Sequence, residues 1–349
     1  MMTGYYTKIL ELDLPWELLK DKKVLVTGAN GMIASSFVEA IMEANERKGL
    51  KTQVYALCRS EEKAKRRFFK YFDNETFHLV VQDVVVPLNI DIDFDYIVHA
   101  ASSAYPEAMN KYPVDIMKAN FIGTLNLLEY SQKCSNCRFL FVSSSEVYGE
   151  NFEDVELFSE DNPGRVAFSR FRACYPESKR ASETLCHCYK KQYDADIVIT
   201  RPAFIYGKNI LDDNSRADVY FMRQAMNKKD IVMFSKGEQI RSYCYVKDCI
   251  SGMLYILLKG ESGETYNIGD PDCVVTLHDY AQKIADVGGV KLIVDEKEKP
   301  DGLVFLKTTK LILDTTKLKS LGWKITYNLD AGLKDIFEEW AEEYEHSNN

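Results

Sequence analysis

The chain has 349 residues, of which 46% are hydrophobic and 28% are charged, and its formal net charge is −9. This composition is typical of a globular protein with one large or two medium domains. The acidic charge argues against nucleic-acid binding, which usually needs a basic surface. No apolar stretch approaches the roughly twenty residues that cross a bilayer, and residues 1–22 lack the apolar run of a signal peptide. We therefore expect a cytoplasmic protein with no nucleic-acid partner and no membrane partner.

Nine cysteines are present, and Cys134 and Cys137 have the spacing of a metal-ligand pair. No second Cys-x-x-Cys or histidine pair completes the four ligands that a structural zinc requires. Cysteines in a large chain without an export signal are expected to stay reduced. We predict no metal site and no disulfide framework.

Short apolar segments alternate with amphipathic ones through the first 200 residues. This alternation predicts an α/β fold with a Rossmann-type, doubly wound parallel sheet and helices on both of its faces. Residues 1–22 are predicted to form an extension that packs on this domain from outside. The predicted strands span residues 23–27, 53–58, 76–82, 96–99, 138–143 and 196–201.

A glycine-rich turn follows the first predicted strand. Its residues are spaced as Gly28-x-x-Gly31-x-x-Ala34, and a helical apolar pattern comes directly afterwards. Glycines let the backbone approach a pyrophosphate closely, and the start of the helix offers unpaired N–H groups and a positive dipole end. The motif alone is weak evidence, but its position between a buried strand and a helix predicts a dinucleotide site.

Tyr175 and Lys179 are four residues apart in a helical pattern, so both side chains can point at the same spot. A tyrosine has a pKa of about 10, and a nearby ammonium favours its phenolate form. Three serines lie upstream at residues 143–145, and a serine hydroxyl held close by is suited to orient a substrate alcohol against that phenolate. Together with the glycine turn, these side chains predict oxidation of an alcohol by hydride transfer to a nicotinamide.

Further motifs occur in an order that resembles one enzyme family. They lie at residues 98–101, 120–124, 143–149, 201–207, 241–243 and 266–269. With the glycine turn and the Tyr175/Lys179 pair, they resemble the extended short-chain dehydrogenases/reductases that act on nucleotide sugars, the NAD-dependent epimerase/dehydratase family. The resemblance covers nearly the whole chain, from about residue 22 to about residue 340.

This resemblance implies a second, smaller and discontinuous α/β domain that binds the nucleotide sugar and caps the dinucleotide. The dinucleotide-binding domain is expected at residues 23–201 and about 240–260. The nucleotide-sugar-binding domain is expected at about 202–239 and 261–349. The implied partners are a nucleoside-diphosphate sugar and a second copy of the chain. The family pairs the helices that correspond to residues 115–132 and 175–192 in a four-helix bundle.

The resemblance also assigns roles to individual residues. Ser144 would bind the sugar 4-hydroxyl, Tyr175 would remove its proton, and Lys179 would act on Tyr175 and hold the nicotinamide ribose. His99 is expected to be a packed residue rather than a catalytic acid. The expected catalytic residues are Tyr175, Lys179, Ser144, Ser145 and Glu146, and the expected substrate-binding residues are Ser144, Glu146, Arg216 and Arg241. The expected cofactor-binding residues are Gly28, Asn30, Gly31, Met32, Ile33, Arg59, Asp83, Val84, Ala100, Ala101, Asn120, Tyr175, Lys179 and Pro202.

The two residues after Ser144 bear on the reaction. Family dehydratases carry Asp-Glu at this point and typical 4-epimerases carry neither residue, whereas Ser145-Glu146 is most like the UDP-glucuronate decarboxylases. In that chemistry a 4-keto group makes the C6 carboxylate a β-keto acid, which loses carbon dioxide before hydride returns. A 4-epimerase and a 4,6-dehydratase stay open, in that order. Tyr105 is offset from its place in the decarboxylases, Glu107 would repel a carboxylate if it faced inward, and Phe204 replaces an asparagine.

The cofactor and the class also have alternatives. The second strand of an NAD site should end in an acid that binds the ribose hydroxyls. Residues 56–60 contain no acid, and Arg59 there would favour the 2′-phosphate of NADP. NAD is expected because the resembling enzymes retain and recycle it, and NADP stays open. An NADP-dependent reductase and a catalytically idle dinucleotide-binding subunit are the alternatives from other classes.

Overall fold

A computed structural model describes residues 5–150, 155–209, 214–296 and 310–347. Within these ranges the strands form three sheets. In chain order they are β1 (Lys23–Thr27), β2 (Gln53–Cys58), β3 (Phe77–Val81), β4 (Tyr96–His99), β5 (Arg138–Val142), β6 (Asp196–Pro202), β7 (Phe204–Tyr206), β8 (Ile231–Met233), β9 (Ile240–Tyr245), β10 (Thr265–Ile268), β11 (Val274–Thr276) and β12 (Leu292–Val294).

The largest sheet has seven parallel strands in the order β10-β6-β5-β4-β1-β2-β3. Four of the five residues of β1 are buried, because helices cover both faces of a parallel sheet. The winding direction reverses between β1 and β4, and dinucleotides bind at such a switch point, above the carboxyl ends of the strands. The predicted doubly wound sheet is therefore confirmed. The six predicted strands are present with shifts of one residue at some ends.

Helices pack on both faces of this sheet. Thirteen of the fourteen residues of the helix Val246–Lys259 are buried, because it lies between the sheet and a neighbouring helix. In chain order the α-helices are α1 (Thr7–Leu10), α2 (Met32–Lys48), α3 (Glu61–Arg67), α4 (Pro106–Lys111), α5 (Pro113–Met117), α6 (Gly123–Ser131), α7 (Cys174–Tyr193), α8 (Ala217–Met226), α9 (Val246–Lys259), α10 (Leu277–Gly288), α11 (Thr316–Ser320) and α12 (Leu329–Ser347).

A three-stranded sheet, β11-β9-β7, and a two-stranded sheet, β12-β8, form a smaller unit with α8, α10 and α12. Two strands belong to a different unit from the one predicted for them. β9 was expected in the dinucleotide-binding domain but pairs with β7 and β11 in the small sheet. β10 was expected in the second domain but hydrogen-bonds to β6 at the edge of the main sheet. Local sequence does not reveal with which strand such a short segment pairs.

The N-terminal segment contributes to the main hydrophobic core, although it was predicted to pack from outside. Tyr6, Trp16 and Leu19 are all buried. The Tyr6 hydroxyl donates a hydrogen bond to Glu39 at 2.7 Å, and its backbone N–H donates to Glu43 at 3.0 Å. Both acceptors lie on α2, so this segment is fixed to the helix that follows the glycine turn. Residues 1–4 lie outside the described residues.

The predicted helix at residues 115–132 consists of three consecutive helical segments. α5 leads into a π-helical turn at Lys118–Ile122, and α6 continues from it. Such turns are uncommon and often occur at functional sites. Asn120 lies in this turn and is fully buried. Its carbonyl oxygen accepts a hydrogen bond from Ser182 of α7 at 2.9 Å, which joins the turn to the helix of Tyr175 and Lys179.

Candidate active site

A cleft of about 1420 Å³ lies at the carboxyl ends of the main sheet strands and extends to the small sheet. On the main sheet side its wall includes Ser144, Tyr175 and Pro202. On the small sheet side its wall includes Arg216 and Arg241. These five residues are distant in the sequence, and the fold brings them to one cavity.

Ser144 lies at the start of a 3₁₀ helix, Ser145–Tyr148, that follows β5. Its hydroxyl oxygen accepts a hydrogen bond from the backbone N–H of Glu146 at 3.1 Å, which fixes the side chain at the cleft wall. Tyr175 is 5% exposed at the start of α7. Burial raises the pKa of Tyr175, the Glu146 charge raises it further, and a hydrogen bond with Ser144 lowers it. The serine and tyrosine hydroxyls therefore meet where a substrate alcohol would be placed.

Lys179 lies one turn after Tyr175 on α7 and is 2% exposed. Its Nζ donates a hydrogen bond to the carbonyl oxygen of Val142, 2.7 Å away at the end of β5. Burial lowers the pKa of Lys179 to about 7, while the carboxylate of Glu183 acts in the opposite direction. A lysine with such a pKa can gain or lose a proton near neutral pH.

The π-helical turn supports the Tyr175 and Lys179 helix from the other side. Asn120 Nδ2 donates a hydrogen bond to the Ser178 hydroxyl at 2.8 Å. Asn120 Oδ1 is buried and has no hydrogen-bond partner among the described residues. A buried polar atom without a partner is costly, so this oxygen marks a place where a ligand or water can donate.

His99 ends β4 and is buried between two threonines. Its Nδ1 lies 2.8 Å from the Thr27 hydroxyl, and its Nε2 lies 3.1 Å from the Thr124 hydroxyl. Burial lowers the pKa of His99 to about 3, with a smaller contribution from the charge of Lys179. The ring is therefore packed, as the sequence predicts, and its lowered pKa favours the neutral form.

The glycine turn lies against the loop after β4. Gly28 has φ +69°, and a Cβ there would lie 2.6 Å from the Cα of Ala101 and 2.9 Å from the oxygen of Ala100. Ile33, at the start of α2, lines the cleft, and Met32 precedes it. The predicted residues of the turn and the Ala100–Ala101 backbone are thus adjacent.

The polar groups around this turn fit a dinucleotide. Asn30 Oδ1, Ser102 Oγ and Ser143 Oγ are buried without hydrogen-bond partners in the described part of the chain, as is Asn120 Oδ1. Ribose hydroxyls and a nicotinamide amide carry the complementary donors and acceptors. The site chemistry therefore fits the cofactor that the glycine turn predicts.

Arg59 and Asp83 lie at the ends of β2 and β3. An Arg59 guanidinium nitrogen is 3.8 Å from the Asp83 carboxylate, and the Arg59 side chain is 70% exposed. Val84 packs against Gly123, where a Cβ would lie 2.8 Å from its Cγ2. Val84 therefore supports α6, whereas Arg59 and Asp83 face solvent beside the glycine turn.

The two predicted phosphate-binding arginines have different surroundings. Arg216 forms a two-pronged ion pair with Asp218, with Nε 3.0 Å from Oδ1 and a second bond to Oδ2. Arg241 has its guanidinium carbon 4.7 Å from the centroid of the Phe204 ring. Its Nε is buried and has no hydrogen-bond partner within the described ranges. Arg241 is therefore the better placed of the two to accept an anion.

One cleft residue received no role from the sequence. Arg172 lies in the 3₁₀ helix Phe171–Ala173 just before α7, and its Nη1 is 3.6 Å from Glu146 Oε2. Its positive charge also lowers the pKa of Tyr175. It lies three residues before Tyr175, which is about one helical turn. This spacing was the signal in the sequence that could have placed Arg172 near the tyrosine. The pair with Glu146 appears only in the tertiary structure.

Glu107 does not direct an unbalanced charge at the cleft. Although it lines the cleft, its side chain is 47% exposed and forms an ion pair with Lys111, at 2.6 Å, one turn along α4. The repulsion that it would exert on a substrate carboxylate is therefore reduced. Tyr105 packs beside the small cluster of Met109, Ile116 and Tyr175.

Three further findings concern the chain as a whole. All nine cysteines are free. Among the described residues, no group of three or more His, Cys, Asp or Glu side chains is arranged to hold a metal ion. No helix in the same ranges has both the length and the apolar character needed to span a membrane.

The fold and the Ser144, Tyr175 and Lys179 cluster define a Rossmann-type dinucleotide-dependent enzyme site. A model of the NAD dependent epimerase/dehydratase family matches residues 24–269, which is most of the chain. The protein belongs to this family, and the prediction made from its motifs is confirmed.

Two relatives and one crystal structure show what this chain is similar to. A UDP-glucuronic acid decarboxylase 5 from Arabidopsis thaliana is 32% identical over 320 residues, which cover 91% of this chain and 89% of that protein. A UDP-glucuronic acid decarboxylase 1 from Xenopus tropicalis is 29% identical over 336 residues, covering 94% and 74%. The fold resembles the crystal structure of a UDP-glucuronic acid 4-epimerase from Bacillus cereus with UDP-glucuronic acid and NAD. That structure has a TM-score of 0.76, 24% identity and coverage of 92% of this chain and 100% of the other.

Proposed function

We propose that this protein decarboxylates a UDP-linked uronic acid, UDP-glucuronate in the first instance, through a 4-keto sugar. The observation that carries the proposal is the Ser145-Glu146 pair beside Ser144 and Tyr175, with Arg172 held at the Glu146 carboxylate. Ser145 stands where the dehydratases of the family carry an aspartate. Two relatives with this activity match nearly the whole chain, which supports the same assignment.

Tyr175, Ser144 and Lys179 would perform the proton transfer at the sugar 4-hydroxyl. Ser144 orients the hydroxyl, the phenolate form of Tyr175 accepts its proton, and the ammonium of Lys179 favours that phenolate before the transfer. When bound, a nicotinamide dinucleotide would accept hydride from C4 and later return it. The groups proposed to hold it are the glycine turn from Gly28 to Ile33, the loop at Ala100–Ala101, Asn120, Lys179 and Pro202.

Glu146 and Arg172 would handle the carboxylate chemistry. Loss of carbon dioxide from a β-keto acid leaves an enolate that must gain a proton at C5. Glu146, whose charge acts on Tyr175, would take up a proton from solvent and pass it to C5, so that the loss of carbon dioxide consumes one proton. Arg172 balances the Glu146 charge, so that a negatively charged sugar can lie beside it without net repulsion.

Arg241 would bind the diphosphate of the substrate, with Arg216 as a second cation at the same end of the cleft. A guanidinium can hold two phosphate oxygens with parallel hydrogen bonds. The Phe204 ring under Arg241 fixes the plane of that guanidinium. Phe204, which replaces the expected asparagine, would therefore orient the arginine that binds the diphosphate.

A panel of nucleotide sugars tests the proposed reaction. UDP-glucuronate, UDP-glucose, dTDP-glucose and the corresponding GDP- and CDP-sugars are incubated with the protein, and the products are weighed by mass spectrometry. Loss of carbon dioxide from UDP-glucuronate is expected. Loss of water would instead identify a dehydratase. Conversion without a change of mass would identify an epimerase.

A pair of variants adds a control to this experiment. Glu146→Gln should slow carbon dioxide release, because the proton donor for C5 is removed. Glu150→Gln changes another carboxylate on the cleft wall and should leave the rate near that of the unmodified protein. Equal rates for the two variants would contradict the role of Glu146. Retention of the dinucleotide through purification, measured by absorbance, separates an internal hydride cycle from a reductase that exchanges its cofactor.

We also propose that the protein is a homodimer through a four-helix bundle built from α5, α6 and α7. Val114, Met117 and Phe121 are 62%, 46% and 39% exposed and are spaced three and four residues apart. Side chains at this spacing share one face of a helix. An isologous dimer would cover this apolar face in both copies.

A cytoplasmic location stays a prediction. The nine free cysteines support it, because a reducing compartment keeps thiols unpaired.

A further inference from the structure

The adenosine end of the dinucleotide site is built from the glycine turn and the end of β2. The backbone N–H of Ala29 donates to the carbonyl oxygen of Leu57 at 3.0 Å. The Asn30 side chain donates from Nδ2 to the carbonyl oxygen of Ser60 at 3.2 Å. These two bonds fix the residue between them, Arg59, beside the turn that is proposed to hold the pyrophosphate.

This end of the site has no carboxylate where the ribose of NAD needs one. An acid at the end of the second strand normally accepts hydrogen bonds from the ribose hydroxyls. The residues from Ala56 to Ser60 supply none. Asp83, at the end of the next strand, is the nearby acid, and it is already paired with the Arg59 guanidinium at 3.8 Å. The charged side chain at the end of β2 is therefore a guanidinium and not a carboxylate.

We propose that Arg59 binds the 2′-phosphate of NADP, so that this chain prefers NADP to NAD although its family is named for NAD. This inference rests on the dinucleotide site of the proposed function and specifies its adenosine end. Arg59 is 70% exposed, so its guanidinium is accessible to a ligand. A guanidinium has five N–H donors, which is enough to keep the contact with Asp83 and bind a phosphate as well.

Two neighbouring groups complete the phosphate site. The Ser60 hydroxyl oxygen accepts a hydrogen bond from the Lys63 backbone N–H at 3.2 Å, which leaves the hydroxyl proton to donate towards the phosphate. Asn30 Oδ1 is buried without a partner in the described ranges and is available to a ribose hydroxyl. The 2′-phosphate thus meets the donors of Arg59 and Ser60, and a hydroxyl of the same ribose meets the Asn30 acceptor.

The test measures binding of two adenosine fragments to the whole protein by titration calorimetry. 2′,5′-ADP carries the 2′-phosphate, and 5′-AMP lacks it. The protein, freed of bound nucleotide, is expected to bind 2′,5′-ADP at least about tenfold more tightly. A charge-assisted hydrogen bond contributes more than the about 1.4 kcal/mol to which a tenfold change in affinity corresponds.

Variants show whether Arg59 is the cause. Arg59→Ala should remove the preference for 2′,5′-ADP while leaving the affinity for 5′-AMP unchanged. Arg66→Ala removes an exposed positive charge from α3 and serves as the matched control, for which the preference should persist. NADPH and NADH, followed by their fluorescence, should give the same order.

Each other outcome has a definite meaning. Equal affinity of the unmodified protein for the two fragments would overturn the inference. So would a preference that survives in Arg59→Ala. Binding of neither fragment would overturn both this inference and the dinucleotide site of the proposed function. The choice of sugar is measured separately by the substrate panel, so failure there would leave the Arg59 result standing.

Discussion

The guanidinium carbon of Arg241 lies 4.7 Å from the centroid of the Phe204 ring. From the sequence, Phe204 looks like the loss of a polar contact, because an asparagine is expected at its position. In the structure the ring supports the arginine proposed to bind the substrate diphosphate. A cation over an aromatic ring is stabilised by about 0.5–2 kcal/mol, and the ring also restricts the rotation of the guanidinium.

Arg241→Lys is expected to weaken the binding of UDP by about tenfold, because an ammonium cannot hold two phosphate oxygens in parallel. Phe204→Leu should weaken it in the same direction and by less, since it removes only the support of the ring. Dinucleotide binding should not change in either variant. Titration calorimetry with UDP measures both effects. Unchanged affinity in Arg241→Lys would show that this arginine does not contact the diphosphate.

Tyr175→Phe should leave folding and cofactor binding intact and reduce turnover by about 10²–10⁴-fold, the usual range for loss of a general base. The hydroxyl that interacts with Ser144 is the group removed. Tyr189→Phe makes the same chemical change about four turns along the same helix and should be nearly silent. Turnover is measured with the substrate that the panel identifies. A rate near normal in folded Tyr175→Phe would exclude Tyr175 as the base.

Lys179 should make the stability of the cofactor-free protein depend on pH. Burial lowers its pKa from 10.5 to about 7 in the folded protein. Between these values the unfolded chain binds the additional proton, so the folded state gains stability as pH rises from 7 to 10.5. The Lys179→Met variant lacks this term. As the pH rises through this range, the unfolding midpoint of the unmodified protein should therefore rise relative to that of Lys179→Met.

The measurement for Lys179 is a series of thermal unfolding curves between pH 6 and pH 10, within the range where the proton of this lysine matters. Below pH 7 the difference between the two proteins should level off, because the lysine is then protonated in both states. A difference that stays constant through the whole series would mean that the buried amine has an ordinary pKa.

Gly28 and Gly49 provide a matched test of the close approach at the glycine turn. They have nearly the same φ, +69° and +65°, but only Gly28 would place a Cβ against backbone, 2.6 Å from the Ala101 Cα. Gly49→Ala should lower the free energy of unfolding by about 1–2 kcal/mol, the penalty of a left-handed backbone for a residue with a Cβ. Gly28→Ala should lower it further, by about 1–3 kcal/mol, because the loop after β4 must move.

Chemical denaturation measures both glycine variants. Gly28→Ala should also weaken dinucleotide binding, whereas Gly49→Ala, at the far end of α2, should not. Equal destabilisation in the two variants would show that the contact with Ala101 is relaxed without penalty.

The proposed dimer should be sensitive to a charge on its apolar face and insensitive to a charge elsewhere on the surface. Met117→Glu places a charge in the exposed apolar face of α5 and the π-helical turn and should convert the dimer to a monomer in sedimentation analysis. Phe69→Glu changes another exposed apolar side chain, 68% exposed and outside these helices, and should leave the dimer intact. A monomer already present in the unmodified protein at micromolar concentration would contradict the proposal.

Much of the fold could be predicted because its signals are local. The glycine turn after β1 and the apolar strands of the parallel sheet each lie in one short segment, and the parallel order follows from the alternation with helices. The Tyr175 and Lys179 pair is likewise local, since both residues lie on one helix. Their placement on α7 follows from spacing alone.

Other features required contacts between distant segments. β9 and β10 are short, and their sheet is chosen by pairing with β7 and β6, which no local pattern encodes. The Arg241 and Phe204 pair joins residues on two strands for the same reason. Even the π-helical turn at Asn120 lies within a helix of ordinary apolar periodicity.

The sequence by itself determined the family, the parallel doubly wound sheet and the position of Tyr175 and Lys179 on one helix, because motifs and periodicity are properties of neighbouring residues. Only the tertiary structure decided which charges face each other. Glu146 meets Arg172, Arg216 is taken up by Asp218, and Arg241 keeps a buried nitrogen without a partner. Electrostatic energy depends on distance and burial, and folding sets both by bringing together residues far apart in the chain.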